Sequence, residues 1–368
     1  MRLILAAMLA WAFTLPARAA DPLLEEALAF SGQIFHIESG VPGLVIAGVR
    51  GDDSAVFGFG EIARGSGIEP DGDTRIGVGS ITKSFTGLAL AHLVAEGAVA
   101  LTDPAGPYVG LVDDLPERGG HRIRMVDLAT QSSGLRRELE PIDGVAKYSD
   151  ASFAGNLAGD PLLFTPGTGV LYSNIGFDVL AMALSGVAGR SYAELLQEAV
   201  LAPLGLGATG YDRQGGANAM TGYDWNGNPM SSAAPNTNQY GASELHTTAN
   251  DMVRYLQWNL DRFGKVRAEA RAISHAAHLV RDGLDPVYGM DESGHMDAMG
   301  LGWVIMMPEG DRPLIIQKAG GADGIFSYLA FAPQRGVGVF VAINQFDFAA
   351  AKDMARMAND LIANLAPR

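Results

Sequence analysis

Cysteine is absent from all 368 residues, so the chain holds no disulfide, no thiol nucleophile and no thiolate-bound metal. Lysine is scarce: Lys83, Lys147, Lys265, Lys318 and Lys352 are the whole set. Acids outnumber bases, 41 Asp and Glu against 26 Lys and Arg, and the formal charge of -15 argues against nucleic acid and anionic lipid surfaces as partners. No G-x-S-x-G occurs, which argues against an α/β-hydrolase esterase. The glycine-rich GTGVLYSNIG lacks the G-K-[ST] and the preceding strand of a phosphate loop. Beyond the first residues no apolar run approaches the ~20 residues that span a bilayer.

A hydrophobic content of 48% is ample for a sizeable core, and the length suggests two domains or one large one. Residues 1–20 read as a cleaved export signal: Arg2, the apolar LILAAMLAWAFTL, then PARAA with an A-x-A site. The mature protein is therefore expected in the periplasm, with no membrane span.

Residues 22–37 carry apolar side chains at helical spacing. GLVIAGV, SAVFGFG and RIGVG read as short strands divided by Gly and Asp turns. The middle is mainly helical, most clearly over 80–96, 175–185, 192–201 and 249–262. From residue 301 strands return in LGWVIMM, PLIIQKAG, FSYLAFAP and GVGVFVAIN, and 349–365 closes the chain as an amphipathic helix. The expected class is α/β (α+β): an antiparallel sheet flanked by N- and C-terminal helices. Residues 21–79 and 301–368 would form a discontinuous sheet domain, with 80–300 inserted as a mainly helical one. A cleft between two such lobes is a preferred site for ligands. The polar stretch 221–243 is the expected long loop.

Three motifs carry the chemistry. In RIGVGSITKSF, Ser80 opens a helix and Lys83 follows one turn later on the same face. A serine there meets the unpaired N–H groups of the helix start, and a lysine in a dry cleft can lose its proton near neutral pH. FTPGTGVLYSN supplies Tyr172-Ser173-Asn174 after a turn, and IIQKAGGADG ends a strand in Lys318-Ala319-Gly320-Gly321. S-x-x-K, Y-x-N and K-x-G each occur once, in that order. His275, His278 and His295 lack the spacing of a metal site and read as surface histidines. His246 reads as a helix-entry residue beside Thr247, Thr248 and Asp251, whose side chains can cap the next helix.

The three motifs resemble those of the serine β-lactamase and penicillin-binding protein superfamily, in its class C β-lactamase-like branch where Y-x-N stands for S-D-N. MVDLATQSSGLRRE, the F-x-P-G turn before YSN, and MDAMGLGWVIMMPEGDRPLIIQKAGG are most similar to the AmpH-type D-alanyl-D-alanine carboxypeptidase/endopeptidases. The resemblance implies a β-lactamase/transpeptidase-like fold and a periplasmic serine hydrolase that needs no cofactor and no metal. Its ligands would be peptidoglycan peptides (muropeptides) and β-lactams, cleaved through an acyl-enzyme on Ser80. It implies Lys83 and Tyr172 as the proton carriers and Asn174 as a hydrogen-bond partner of the substrate amide and of Lys83. Lys318 would attract a substrate carboxylate, Ser80 and Gly321 N–H groups would form the oxyanion hole, and Gly320 would leave room for the substrate.

Ala319 stands where the family usually carries Thr after the strand lysine. A hydrogen bond to a charged carboxylate is worth roughly 1.5–3 kcal/mol, and Ala319 cannot supply it. Arg136, Arg137 or a residue in 221–243 are the expected substitutes. The alternatives are a class C-like β-lactamase, a carboxylesterase on the same fold, or a penicillin-binding sensor that acylates without turnover. The complete set of Ser80, Lys83, Tyr172 and Lys318 argues against the sensor.

Overall fold

A computed structural model describes residues 21–159, 162–212, 216–230 and 237–366. The proposed export signal and part of the expected 221–243 loop lie outside these residues. Helix α1 (Pro22–Ser39) starts where the Asp21 carboxylate accepts from the N–H groups of Leu23 and Leu24, and it ends at Gly40 in a left-handed turn. Two long strands follow, β1 (Gly43–Arg50) and β2 (Asp53–Gly60).

The remaining strands of the same sheet come late in the chain. They are β3 (Leu279–Val280), β4 (Ala298–Met299), β5 (Val304–Met306), β6 (Ile315–Ala322), β7 (Ile325–Ala332) and β8 (Val337–Ile343). Their spatial order is β2-β1-β8-β7-β6-β5-β4-β3, antiparallel throughout, so the first strands of the chain pair with the last. Register Ile46↔Val341 closes that join.

Both faces of the central strands are covered, which explains why β1, β7 and β8 read as nearly unbroken apolar runs. On one face Leu44, Ile46, Val339 and Val341 pack with α1 and the C-terminal helix. On the other, Val45, Ala47, Phe340 and Phe331 join the core beneath the helical part of the chain. That part is built on α2 (Thr82–Ala95), α3 (Asn174–Ala188) and α4 (Ala249–Leu260), and the C-terminal helix is α5 (Phe348–Leu365). Thr248 caps α4 by accepting from the Asp251 N–H, while His246 pairs with Gly77 in the short strand just before it.

Two strand expectations shrink. RIGVG forms a strand only over Ile76–Gly77, outside the large sheet, because Gly79 turns left-handed at φ 51 to enter the Ser80 turn. LGWVIMM pairs only over Val304–Met306, because Gly302 sits at φ 78 with its N–H donated to the Ala129 carbonyl. The helix expected at 192–201 relaxes after Leu196 into a wider π-type turn over Gln197–Leu201. Among the described residues no helix is long and apolar enough to cross a membrane.

Candidate active site

Ser80 lies in the tight turn Gly79–Ile81 that leads directly into α2. A Cβ at Gly79 would stand 2.7 Å from the backbone of Gly321, so the Ser80 turn and the end of β6 touch main chain to main chain. The same contact explains Gly320. A Cβ there would meet the Val78 carbonyl oxygen at 2.0 Å and Ser327 Oγ at 2.7 Å. The expectation that this glycine clears space for substrate is corrected: the space is filled by the turn that carries Ser80.

Lys83 is wholly buried, with its Nζ 3.3 Å from Ser80 Oγ. It donates to Asn174 Oδ1 at 2.7 Å and to the Ala242 carbonyl at 2.9 Å. Loss of water lowers its pKa to about 7; Asp178 and Glu138 oppose that shift and Arg137 assists it. Asn174 opens α3 behind its Ser173 cap, which accepts from the Gly176 N–H. The Asn174 amide donates to Glu138 Oε1 at 2.5 Å, which fixes its oxygen toward Lys83.

Tyr172 is held by main-chain pairing of Val170–Leu171 with Val287–Tyr288, and its ring is ringed by cations. Lys83 Nζ stands 5.0 Å from its centroid, Lys318 Nζ 5.2 Å and the Arg137 guanidinium 4.8 Å. Lys318 is buried on β6, and desolvation chiefly lowers its pKa, with nearby Tyr172 opposing. Its Nζ donates to the Ala319 carbonyl at 2.8 Å.

Ser80, Tyr172, Asn174, Lys318, Gly320 and Gly321 thus line one cleft of about 240 Å³, with Lys83 beneath it. Ser80 and Lys83 bring a hydroxyl and an amine with depressed basicity from one segment, and Tyr172 brings a phenol from another far along the chain. Such a set can transfer an acyl group through a serine ester. Ala319 lines the cleft beside Lys318 and also packs against the apolar cluster that includes Phe326. Of the expected carboxylate readers, Arg137 lines the cleft, whereas Arg136 turns to Glu140 at 3.5 Å.

Four features went unread in the sequence. Lys352 of α5 also lines the cleft, and the lysine scarcity was its only signal. Glu138 and Asp178 act on the site, but nothing distinguishes them among 41 acids. Aromatic rings of Phe326, Phe346 and Phe348 wall one end, with centroids 4.7–5.4 Å apart. His275, expected at the surface, is half-buried: it shares a 2.7 Å hydrogen bond with Asn259 Oδ1 and packs on Trp303 and Phe331, and burial lowers its pKa to about 3.

A family model described as Beta-lactamase matches residues 17–364. The chain is 31% identical over 378 residues to D-alanyl-D-alanine-carboxypeptidase/endopeptidase AmpH of Escherichia coli (strain K12), covering 99% of this chain and 96% of that one. It is 25% identical over 333 residues to a β-lactamase of Pseudomonas fluorescens, covering 83% and 89%. A solved β-lactamase/D-alanine carboxypeptidase from Yersinia pestis, complexed with citrate, superposes with a TM-score of 0.82 at 29% identity over 93% of this chain and 98% of that one.

Proposed function

The chain belongs to the β-lactamase family and is a serine hydrolase; on that premise we propose that it is a periplasmic D-alanyl-D-alanine carboxypeptidase/endopeptidase acting on peptidoglycan peptides. The observation that carries the mechanism is the dry Lys83 amine 3.3 Å from Ser80 Oγ, with its pKa brought to about 7. In its neutral form Lys83 takes the Ser80 proton as Oγ attacks the substrate carbonyl, and the proton passes by way of Tyr172 to the departing amine. Water then attacks the Ser80 ester and returns the serine. The Ser80 and Gly321 N–H groups, brought together by the Gly79 contact, would hold the oxyanion, each donor typically worth ~3 kcal/mol.

Support for a peptide substrate comes from the cations of the cleft. Lys318, Arg137 and Lys352 favour a substrate ending in a carboxylate, and Lys352 offers what the missing hydroxyl at Ala319 does not. The export-type sequence of residues 1–20 supports the periplasmic assignment. A second reading, a carboxylesterase, is favoured by the apolar Ala319 alone.

Purified protein and Ser80→Ala should be incubated with cross-linked and pentapeptide-bearing muropeptides, a chromogenic cephalosporin and a p-nitrophenyl ester. The proposal expects release of D-Ala and loss of cross-links by the wild type only. Rapid ester turnover with untouched muropeptides would transfer the assignment to esterase.

A further inference from the structure

Beneath the cleft lies a carboxyl that the proposed reaction does not use. Asp178 sits one turn into α3, 2% exposed, on the helix that Asn174 opens. Its Oδ1 accepts from the Ala242 N–H at 3.0 Å. The same residue, Ala242, turns its carbonyl to Lys83 Nζ at 2.9 Å. This short segment is clamped from both sides: Thr86 Oγ1 of α2 donates to the Gly241 carbonyl at 2.7 Å, and a Cβ on Gly241 would strike the Phe177 carbonyl at 2.0 Å. One residue of main chain therefore separates a buried acid from a buried base.

We propose that Asp178 is a positioning residue for Lys83, whose buried carboxylate, acting across the Ala242 segment, keeps a proton available to that amine. The inference rests on the reading of Lys83 as proton carrier. A wholly dry lysine with no opposing charge stays neutral: it can accept the Ser80 proton but holds it too weakly to act as a reversible carrier. Asp178 is the largest charge opposing that tendency; burial pushes its own carboxyl well above the usual range, while Lys83 and then the Ala242 N–H favour its charged form, so the two groups hold one proton between them. The other groups facing the pair divide in sign. Glu138 acts with Asp178, and Arg137 and Lys318 act against it. Glu244 lies on the Asp178 side, together with the buried phenols of Tyr192 and Tyr211. Of these carboxylates only Asp178 is both fully desolvated and joined to Lys83 through a single residue.

The test reads Lys83 directly rather than through turnover. With five lysines in the chain, 13C-labelled lysine gives few enough ε-methylene signals to follow each one, and Lys83→Arg identifies the signal of Lys83. Its titration is compared between wild type and Asp178→Asn, which keeps an acceptor for the Ala242 N–H and removes the charge. The midpoint should fall by about one pH unit or more. Asp178→Ser, smaller and still an acceptor, should give the same shift should the asparagine fail to fold. A midpoint unchanged in a folded variant would overturn the proposal, because a merely structural carboxyl leaves the Lys83 titration where it was. Penicillin labelling of the same samples judges Ser80 separately, so an absent acyl-enzyme beside a shifted Lys83 would refute the catalytic reading and leave the coupling intact.

Discussion

Gly320→Ala adds one methyl group at the place where β6 meets the Ser80 turn. That carbon would lie 2.0 Å from the Val78 carbonyl oxygen, 2.7 Å from Ser327 Oγ and 3.1 Å from the Ile81 nitrogen. Ser327 can rotate, but at the cost of its own 3.0 Å hydrogen bond to that same Val78 carbonyl. The carbonyl belongs to main chain held by the Val78 N–H bond to Leu245, so relief requires the turn and the strand to separate by roughly 1 Å. Overpacking of this kind costs about 1–3 kcal/mol of stability. A displacement near 1 Å at a reacting group costs on the order of 100-fold in rate. The variant should therefore show a lower denaturant midpoint at unchanged m, and a stopped-flow acylation rate by fluorescent penicillin reduced about 100-fold. Wild-type acylation in a Gly320→Ala protein of wild-type stability would refute the reasoning, since the methyl would then have found room the packing denies it.

Four further outcomes follow from the same geometry. Asn174→Ala removes the 2.7 Å acceptor of Lys83 Nζ, a charge-assisted bond worth about 1.5–3 kcal/mol, so acylation should slow by about 10- to 100-fold in single-turnover measurements. Lys352→Ala should raise KM for a D-Ala-D-Ala peptide about tenfold while leaving a neutral p-nitrophenyl ester unchanged, and an equal effect on both would remove Lys352 from carboxylate recognition. Acylation should fall about tenfold per pH unit below about 7, where Lys83 keeps its proton, and level off above. The stability sign is the opposite of a paired lysine's. Between about 7 and 10.5 the unfolded chain binds the proton that folded Lys83 lacks, so Lys83 makes stability rise with pH over that window, as thermal melts across it would show.

Much of this site was legible because its residues are rare and its motifs local. Five lysines leave few ways to complete S-x-x-K and K-x-G, and Tyr172-Ser173-Asn174 is fixed by its own turn and cap. The long strands were legible for a different reason, since burial on both faces writes itself as an apolar run in β1, β7 and β8. What escaped depends on contacts between distant segments. Lys352 reaches the cleft only because α5 packs on β7 and β8, and Asp178 matters only because the Ala242 segment passes between α3 and Lys83. His275 looked polar and exposed, yet the aromatic surround of Trp303 and Phe331 makes it part of a core. Gly320 was recognised, but the reason for it was not: the atom that forbids a side chain comes from Val78, far away in sequence.

The central claim is that Ser80 forms the covalent intermediate with Lys83 as its proton acceptor. Its most direct test is acid-quench trapping with a β-lactam, followed by proteolysis and mass mapping of the adduct, in wild type and Lys83→Ala. The account predicts a single acyl group on the peptide containing Ser80, abolished or slowed at least 1,000-fold in Lys83→Ala. An adduct on any other residue, or equal trapping in the two proteins, would contradict it.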